Sequence, residues 1–218
     1  MVRVLGKWLS LPLYIGKLGG LLIGMMGELK LELIGFLKSN FRNDVKDPAL
    51  LFVSLLNSFL ETRGLGRVII VGGYAVELYS GGAYRTGDVD LVVEGCKDLV
   101  VEALDYISPR TTRIWLLDEL GLVGRAIDIV SDVYSGIKKP IRLDVGEYRV
   151  YVEPPENTIL SSIRACIYWS SDIDCEKAAM VMASQWERID WETLLDAANI
   201  EEKAKFQNYP VRLFTCFH

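Results

Sequence analysis

The stretch RVIIVGGYAVELYSGGAYRTGDVDLVV, Arg67 to Val93, decides how the chain is read. Its first five residues, Arg67 to Val71, are a short β-branched run, which reads as a buried strand. Gly72 and Gly73 end that run, a helix is expected over Tyr74 to Tyr79, Ser80 to Gly87 is a polar loop, and Val89 to Val93 is a second strand. Residues two apart on a strand project from one face, so Asp88 and Asp90 stand side by side while Val89 points into a core. Two carboxylates that close repel, and an oxygen-seeking divalent cation such as Mg²⁺ or Mn²⁺ is the usual means of holding both ionised. The glycines supply the complementary half. Where strand gives way to helix, backbone amides can approach a phosphate without side-chain obstruction, and the helix N-terminus adds positive partial charge. Taken singly, a double glycine is more often a tight turn, and an aspartate pair is commonly a solvated edge or a helix cap. It is their order and spacing that turn the reading toward a nucleotide site.

On the N-terminal side, Asp47-Pro48 opens a helix with a capping side chain followed by proline at the first helical position. This helix is expected to run to about Thr62, where Gly64 and Gly66 stop it. On the C-terminal side, Lys97 to Ile107 reads as helix, Pro109 to Gly124 is ambiguous, and Ala126 to Val130 is a third apolar strand with Asp128 in its middle. If that strand neighbours the aspartate pair, Asp128 reaches the same edge as a third carboxylate, with Asp132 and Asp144 as competitors. Three carboxylates can hold two metal ions roughly 3.5 to 4 Å apart, the arrangement that serves phosphoryl and nucleotidyl transfer. A hairpin follows, Ile141 to Val145 and Tyr148 to Val152, turning at Gly146-Glu147. Pro154-Pro155 breaks the chain, and beyond it the pattern is helical to about Ala198, with starts at Glu156 or Asn157, at Asp172 or Asp174, and at Asp190. Trp169, Trp186 and Trp191 fall at helical spacings, for which packing is favoured over a partner surface. The expected division is an N-terminal apolar helical extension over 1–45, a core over 46–153 and a helical segment over 154–218.

The 218 residues are 50% apolar and 24% charged, a globular composition with room for one domain and a helical appendage. A net charge of -5 argues against a protein whose main work is gripping nucleic acid through its phosphates. Cys96, Cys166, Cys175 and Cys216 form no CxxC pair and the one histidine is His218, so neither a zinc site nor a disulfide framework is expected, and a reducing cytoplasm is the default compartment. The N-terminal run from Trp8 to Gly27 is mostly apolar and follows Arg3 and Lys7, which leaves three readings. A signal or membrane anchor is disfavoured, because Lys17 splits the run into pieces too short to span a bilayer and no small-residue cleavage site follows. An extra helix packed on the domain is the second. The favoured reading is a start called too early, with translation from Met25 or Met26, where the amphipathic pattern GELKLELIGFLKSNF takes over.

In these motifs the chain resembles the nucleotidyltransferase superfamily, whose pattern is GG or GS after a strand, DxD entering the next, and a third acidic residue on a later strand. Gly72-Gly73-Tyr74-Ala75 and Arg85-Thr86-Gly87-Asp88-Val89-Asp90 carry the likeness, which covers roughly Arg67 to Ala198. It is most similar to the small prokaryotic nucleotidyltransferase-like branch that includes antitoxin-side partners of abortive-infection systems. The resemblance implies an α/β fold, a mixed twisted sheet with flanking helices and a C-terminal helical segment. It implies that Asp88 and Asp90 bind Mg²⁺ or Mn²⁺ with Asp128 as third carboxylate, and that Gly72, Gly73, Arg85 and Thr86 meet a nucleoside triphosphate. Many active transferases have serine as the second turn residue; here it is Gly73, which removes one hydroxyl contact to phosphate. Two function classes follow. One is metal-dependent transfer of a nucleoside monophosphate to a hydroxyl on a protein, an RNA or a small molecule. The other is a binding module without chemistry, such as a toxin–antitoxin or defence partner. The three carboxylates favour the enzyme, and no long basic segment points to a nucleic-acid substrate.

Overall fold

A computed structural model describes residues 11–108, 110, 114–116 and 125–207, with 11–23 as helical backbone alone. The elements run α1 (Leu11–Asn40), α2 (Pro48–Thr62), β1 (Gly66–Val71), α3 (Gly72–Tyr79), β2 (Asp88–Gly95), α4 (Lys97–Ile107), β3 (Ile114–Leu116) and β4 (Ala126–Ser131). They continue with β5 (Ile141–Val145), β6 (Tyr148–Val152), α5 (Pro155–Tyr168), α6 (Asp172–Gln185), α7 (Trp191–Ala197) and α8 (Ile200–Gln207). The strands form one six-stranded sheet in the order β3-β4-β2-β1-β6-β5. It is mixed: β1 pairs antiparallel with β2 and parallel with β6, while β2 pairs parallel with β4.

Helix α2 begins where the sequence predicts. The Asp47 carboxylate accepts the Leu50 amide at 3.1 Å, and Pro48, which lacks an amide to satisfy, occupies the first turn. One face of the sheet, with Val68, Ile70, Val89, Leu91 and Val93, is sealed by α1, α2 and α4 into a core that includes Phe52, Phe59, Leu99 and Leu104. Burying side chains of this kind contributes about 1.5–3 kcal/mol each, so this layer holds the strands in register. Leu33, Ile34 and Leu37 of α1 lie in that same core, and α1 runs without a break through Met25 and Met26. No helix among the described residues is long and apolar enough to cross a membrane. A second core joins Ile159, Ile163, Val181, Met182 and Leu194 of the C-terminal helices to Val76 of α3.

Several boundaries differ from the sequence reading. Helix α3 opens at Gly72 rather than Tyr74, and α5 opens at Pro155, so the proline pair starts a helix as well as ending a strand. Ser171 caps α6 by accepting the Asp174 amide, leaving Asp172 and Asp174 in the first turn, where carboxylates favour the positive end of the helix. Asp190 caps α7 as expected, taking the Thr193 amide at 3.1 Å. Helix α8 extends the chain past Ala198. In the ambiguous region after Pro109, Ile114–Leu116 is a strand; most of the remainder lies outside the described residues.

The expectation of no disulfide is overturned. Cys166 on α5 and Cys175 on α6 are bonded, with their Cα atoms 4.9 Å apart. Two antiparallel helices joined by a tight turn bring residues nine apart face to face, a spacing that no CxxC or framework pattern marks. The tryptophans divide as well: Trp186 and Trp191 pack on each other with ring centres 4.5 Å apart, whereas Trp169 is 81% exposed.

Candidate active site

Val71 on β1, Asp90 on β2 and Asp128 on β4 are register partners across three neighbouring strands. Paired residues in a sheet present their side chains to the same face, so Asp90 and Asp128 stand beside each other, and Asp88 lies on that face two residues before Asp90. Asp88 is exposed, Asp90 half-buried and Asp128 buried. Val89, from the opposite face, is wholly within the core, and this alternation is what turns the two carboxylates outward. The two competitors for the third place stand elsewhere. Asp132 lies past the end of β4, 3.6 Å from Lys97, and Asp144 is on the edge strand β5, paired with Arg142.

The glycine turn is built around Asp90. Gly72 has φ +64°, a left-handed conformation, and a Cβ on it would lie 2.4 Å from Asp90 Oδ2, so the carboxylate reaches over a place that only glycine leaves open. The Gly72 amide donates to Glu153 Oε1 at 2.8 Å. Glu153 follows β6 directly and is buried; burial pushes its carboxyl up to about 7 although hydrogen bonds from Gly72 and Thr158 act the other way, and the Asp90 charge adds to the rise. With that amide taken, Gly73 and Tyr74 are the next first-turn amides that α3 cannot satisfy internally.

Gly73 packs on Thr86: a Cβ there would meet Thr86 Oγ1 at 3.2 Å. Thr86 is in turn fixed from three directions. Its amide donates to Glu77 Oε2 at 3.1 Å, its carbonyl accepts Arg125 Nη1 at 3.0 Å, and its hydroxyl accepts the Asp88 amide at 3.2 Å. Glu77 and Arg125 form a two-pronged pair at 2.9 and 2.7 Å. Burial alone would raise the Glu77 carboxyl, but the Arg125 guanidinium and the Thr86 amide outweigh it and hold it below the ordinary carboxylate range. Arg85 is largely exposed and lies 3.8 Å from Glu77. Sequence reasoning missed Glu77, Arg125 and Glu153. The one available signal was positional: Glu77 is four residues after Gly73 on the same helix face, pointing back toward the loop that carries the aspartates.

Two clefts flank the turn. One, of about 310 Å³, is lined by Val71 and Val92 of the carboxylate-bearing face together with Tyr134, Glu153 and Asn157. The other, of about 360 Å³, lies between Gly72, Gly73 and Val76 on one side and Ala165, Tyr168 and Trp169 on the other. The hard oxygen donors of Asp88, Asp90 and Asp128 suit Mg²⁺ or Mn²⁺. Among the described residues, however, no three His, Cys, Asp or Glu side chains stand close enough as placed to form a cation-binding cluster.

No family model and no curated protein matches the chain. Among solved structures it is similar to the solution structure of the antibiotic-resistance factor ANT(2'')-Ia, at 13% identity and a TM-score of 0.45, over 78% of this chain and 95% of that one. A likeness that distant carries no functional argument, so function is read from the chain's own geometry.

Proposed function

We propose that the chain is a metal-dependent nucleotidyltransferase that moves a nucleoside monophosphate from a nucleoside triphosphate to a hydroxyl acceptor. The observation that carries this reading is the pairing of Asp90 with Asp128 across β2 and β4, beside a glycine turn shaped around the Asp90 carboxylate. Asp88, Asp90 and Asp128 would hold Mg²⁺ or Mn²⁺, which when bound activates the attacking oxygen and steadies the leaving pyrophosphate. The Gly73 amide, at the positive end of α3, orients the triphosphate. Glu153 keeps the turn in its left-handed form through the Gly72 amide, and the Glu77–Arg125 pair holds Thr86 and hence the entry to β2. Arg85, exposed at the rim, supplies a cation to the phosphates. Asp128, the least solvated of the three, takes the proton of the acceptor hydroxyl on a carboxylate oxygen.

The test offers the four nucleoside triphosphates, with Mg²⁺ or Mn²⁺, alongside total RNA, small hydroxyl compounds and any protein that co-purifies. The double variant Asp88→Asn, Asp90→Asn should lose Mn²⁺ binding in the presence of nucleotide. Asp128→Ala should lower the transfer rate by at least ~100-fold, the scale for losing a general base or a key electrostatic group, while nucleotide affinity changes by less than ~10-fold. Binding of nucleotide with no transfer by the parent across the whole panel would sink the enzyme reading in favour of a binding module. Unchanged transfer in Asp128→Ala would remove Asp128 from the mechanism.

A further inference from the structure

We propose that Trp169 is a stacking platform for the flat ring of a ligand whose anionic end lies on the Gly72-Gly73 turn, which on the reading above makes it the seat of the nucleotide base. Three observations converge. Trp169 and the Gly72-Gly73 turn line one cleft of about 360 Å³, so a ligand seated on the turn shares that cleft with the indole. The residue is 81% exposed, unlike Trp186 and Trp191, which pack on each other. The segment that carries it is held: Trp169 ends α5, its amide bonding to the Ala165 carbonyl at 3.1 Å, Ser170 turns the chain at φ +53°, and the Cys166–Cys175 disulfide ties the helices on either side. The backbone beneath the exposed ring is thus fixed, so only the two side-chain torsions of Trp169 have to be ordered on binding, and that partial preorganisation favours a stacked ligand.

The cleft also indicates what kind of ring it takes. Its charged and phenolic groups are already engaged within the protein: Lys177 pairs with Asp174 at 2.7 Å, Arg164 with Glu202 at 3.0 Å, and the Tyr168 hydroxyl accepts Asn199 Nδ2 at 2.6 Å. What they leave for the ring is chiefly the apolar surface of Val76, Ala165, Tyr168 and Trp169, with the small hydroxyls of Ser161 and Ser162 beside it. Stacking on such a surface tolerates any base, because every base has a π-face. The ligand class is therefore a nucleoside triphosphate with weak discrimination among bases.

The experiment uses the full chain and two kinds of probe by calorimetry with Mg²⁺ present: the four nucleoside triphosphates, and inorganic tripolyphosphate, which has no ring. The parent should bind all four triphosphates within about 10-fold of one another and should bind tripolyphosphate more weakly. Trp169→Ala should weaken each nucleotide by about 10-fold or more and leave tripolyphosphate unchanged, with Trp169→Phe recovering part of the loss. Nucleotide should quench tryptophan fluorescence in the parent and lose most of that effect in Trp169→Phe. Because the side chain is exposed, neither variant threatens the fold. If Trp169→Ala binds nucleotides as the parent does, or weakens tripolyphosphate in the same proportion, the platform is refuted while the turn remains a phosphate site. If the parent binds neither probe, the phosphate reading of the turn falls, and the platform falls with it.

Discussion

The two glycines of the turn are neighbours in sequence but not equals in the structure. At Gly72 the left-handed backbone costs a side-chain-bearing residue about 1–2 kcal/mol, and a methyl would also stand 2.4 Å from Asp90 Oδ2. Gly72→Ala should therefore destabilise the protein by about 2 kcal/mol or more and, by displacing the carboxylate, abolish Mn²⁺ binding in the presence of nucleotide. Gly73 has no such backbone demand, and a Cβ would meet Thr86 at 3.2 Å, close enough to need a few tenths of an ångström of give. Gly73→Ser should fold within about 1 kcal/mol of the parent and bind nucleotide equally or more tightly through the added hydroxyl. Urea unfolding and calorimetry on the pair would check this; equal tolerance of both changes would contradict it. The double glycine was legible in the sequence as a turn. Which glycine is indispensable was not, because that depends on a carboxylate arriving from eighteen residues further along, at Asp90.

At the scale of elements, legibility followed how local the signal is. The run Arg67 to Val71, the glycines and the alternation Asp88-Val89-Asp90 announce strand, turn and strand within a few residues; β1 and β2 stand where they indicate, and α3 takes in the two glycines of the turn as its first residues. Strand β3 is three residues long and is fixed by distant partners: it pairs with β4, and the Trp115 indole donates to Asp105 of α4 at 2.8 Å. No pattern inside Ile114–Leu116 encodes either contact. The disulfide belongs to the same category, since only the antiparallel course of α5 and α6 brings its cysteines together. Cross-linking so short a loop stabilises by about 2–3 kcal/mol in the chain-entropy account. Cys175→Ser should lower stability by about that amount, read from urea unfolding under non-reducing conditions, and a parent treated with dithiothreitol should match it. A variant as stable as the untreated parent would show that the bond adds nothing to the helical pair.

For the molecule as a whole, buried and half-buried carboxyl groups give the pH dependence of stability two opposing limbs. At Glu61, Glu77 and Glu202 burial would raise the carboxyl, but hydrogen bonds and nearby arginines outweigh it and hold each below the ordinary carboxylate range. A carboxyl whose folded value is depressed contributes stability that is present above its unfolded value and lost as pH falls through the folded one. Glu153 acts oppositely. Its folded value is raised from 4.5 to about 7, so the fold keeps a proton that the unfolded chain releases, and stability falls as pH climbs across that window. In metal-free buffer the unfolding midpoint should therefore peak near pH 5, at roughly the crossing of the two limbs. Glu153→Gln should flatten the upper limb. Glu77→Gln should lower stability at pH 7 by about 3 kcal/mol, by leaving Arg125 without its partner, and make the acid limb shallower. A midpoint that is level from pH 4.5 to 7 in the parent would exclude the role given to Glu153.

Helix α3 is packed into both cores, with Tyr74 and Ala75 in the sheet core and Val76 in that of the C-terminal helices. Gln185 at the end of α6 also donates to the Tyr79 carbonyl at 3.0 Å, and the Tyr79 hydroxyl donates back to the Glu153 carbonyl at 2.7 Å. Modular exchange between proteins requires a seam across which few contacts run. The junction at Pro154 is not one. A truncation there would strip Val76 of its cover and leave the severed helices without the α3 side chain their core closes on, so this fold has to be inherited, fused or transplanted with its helical half attached.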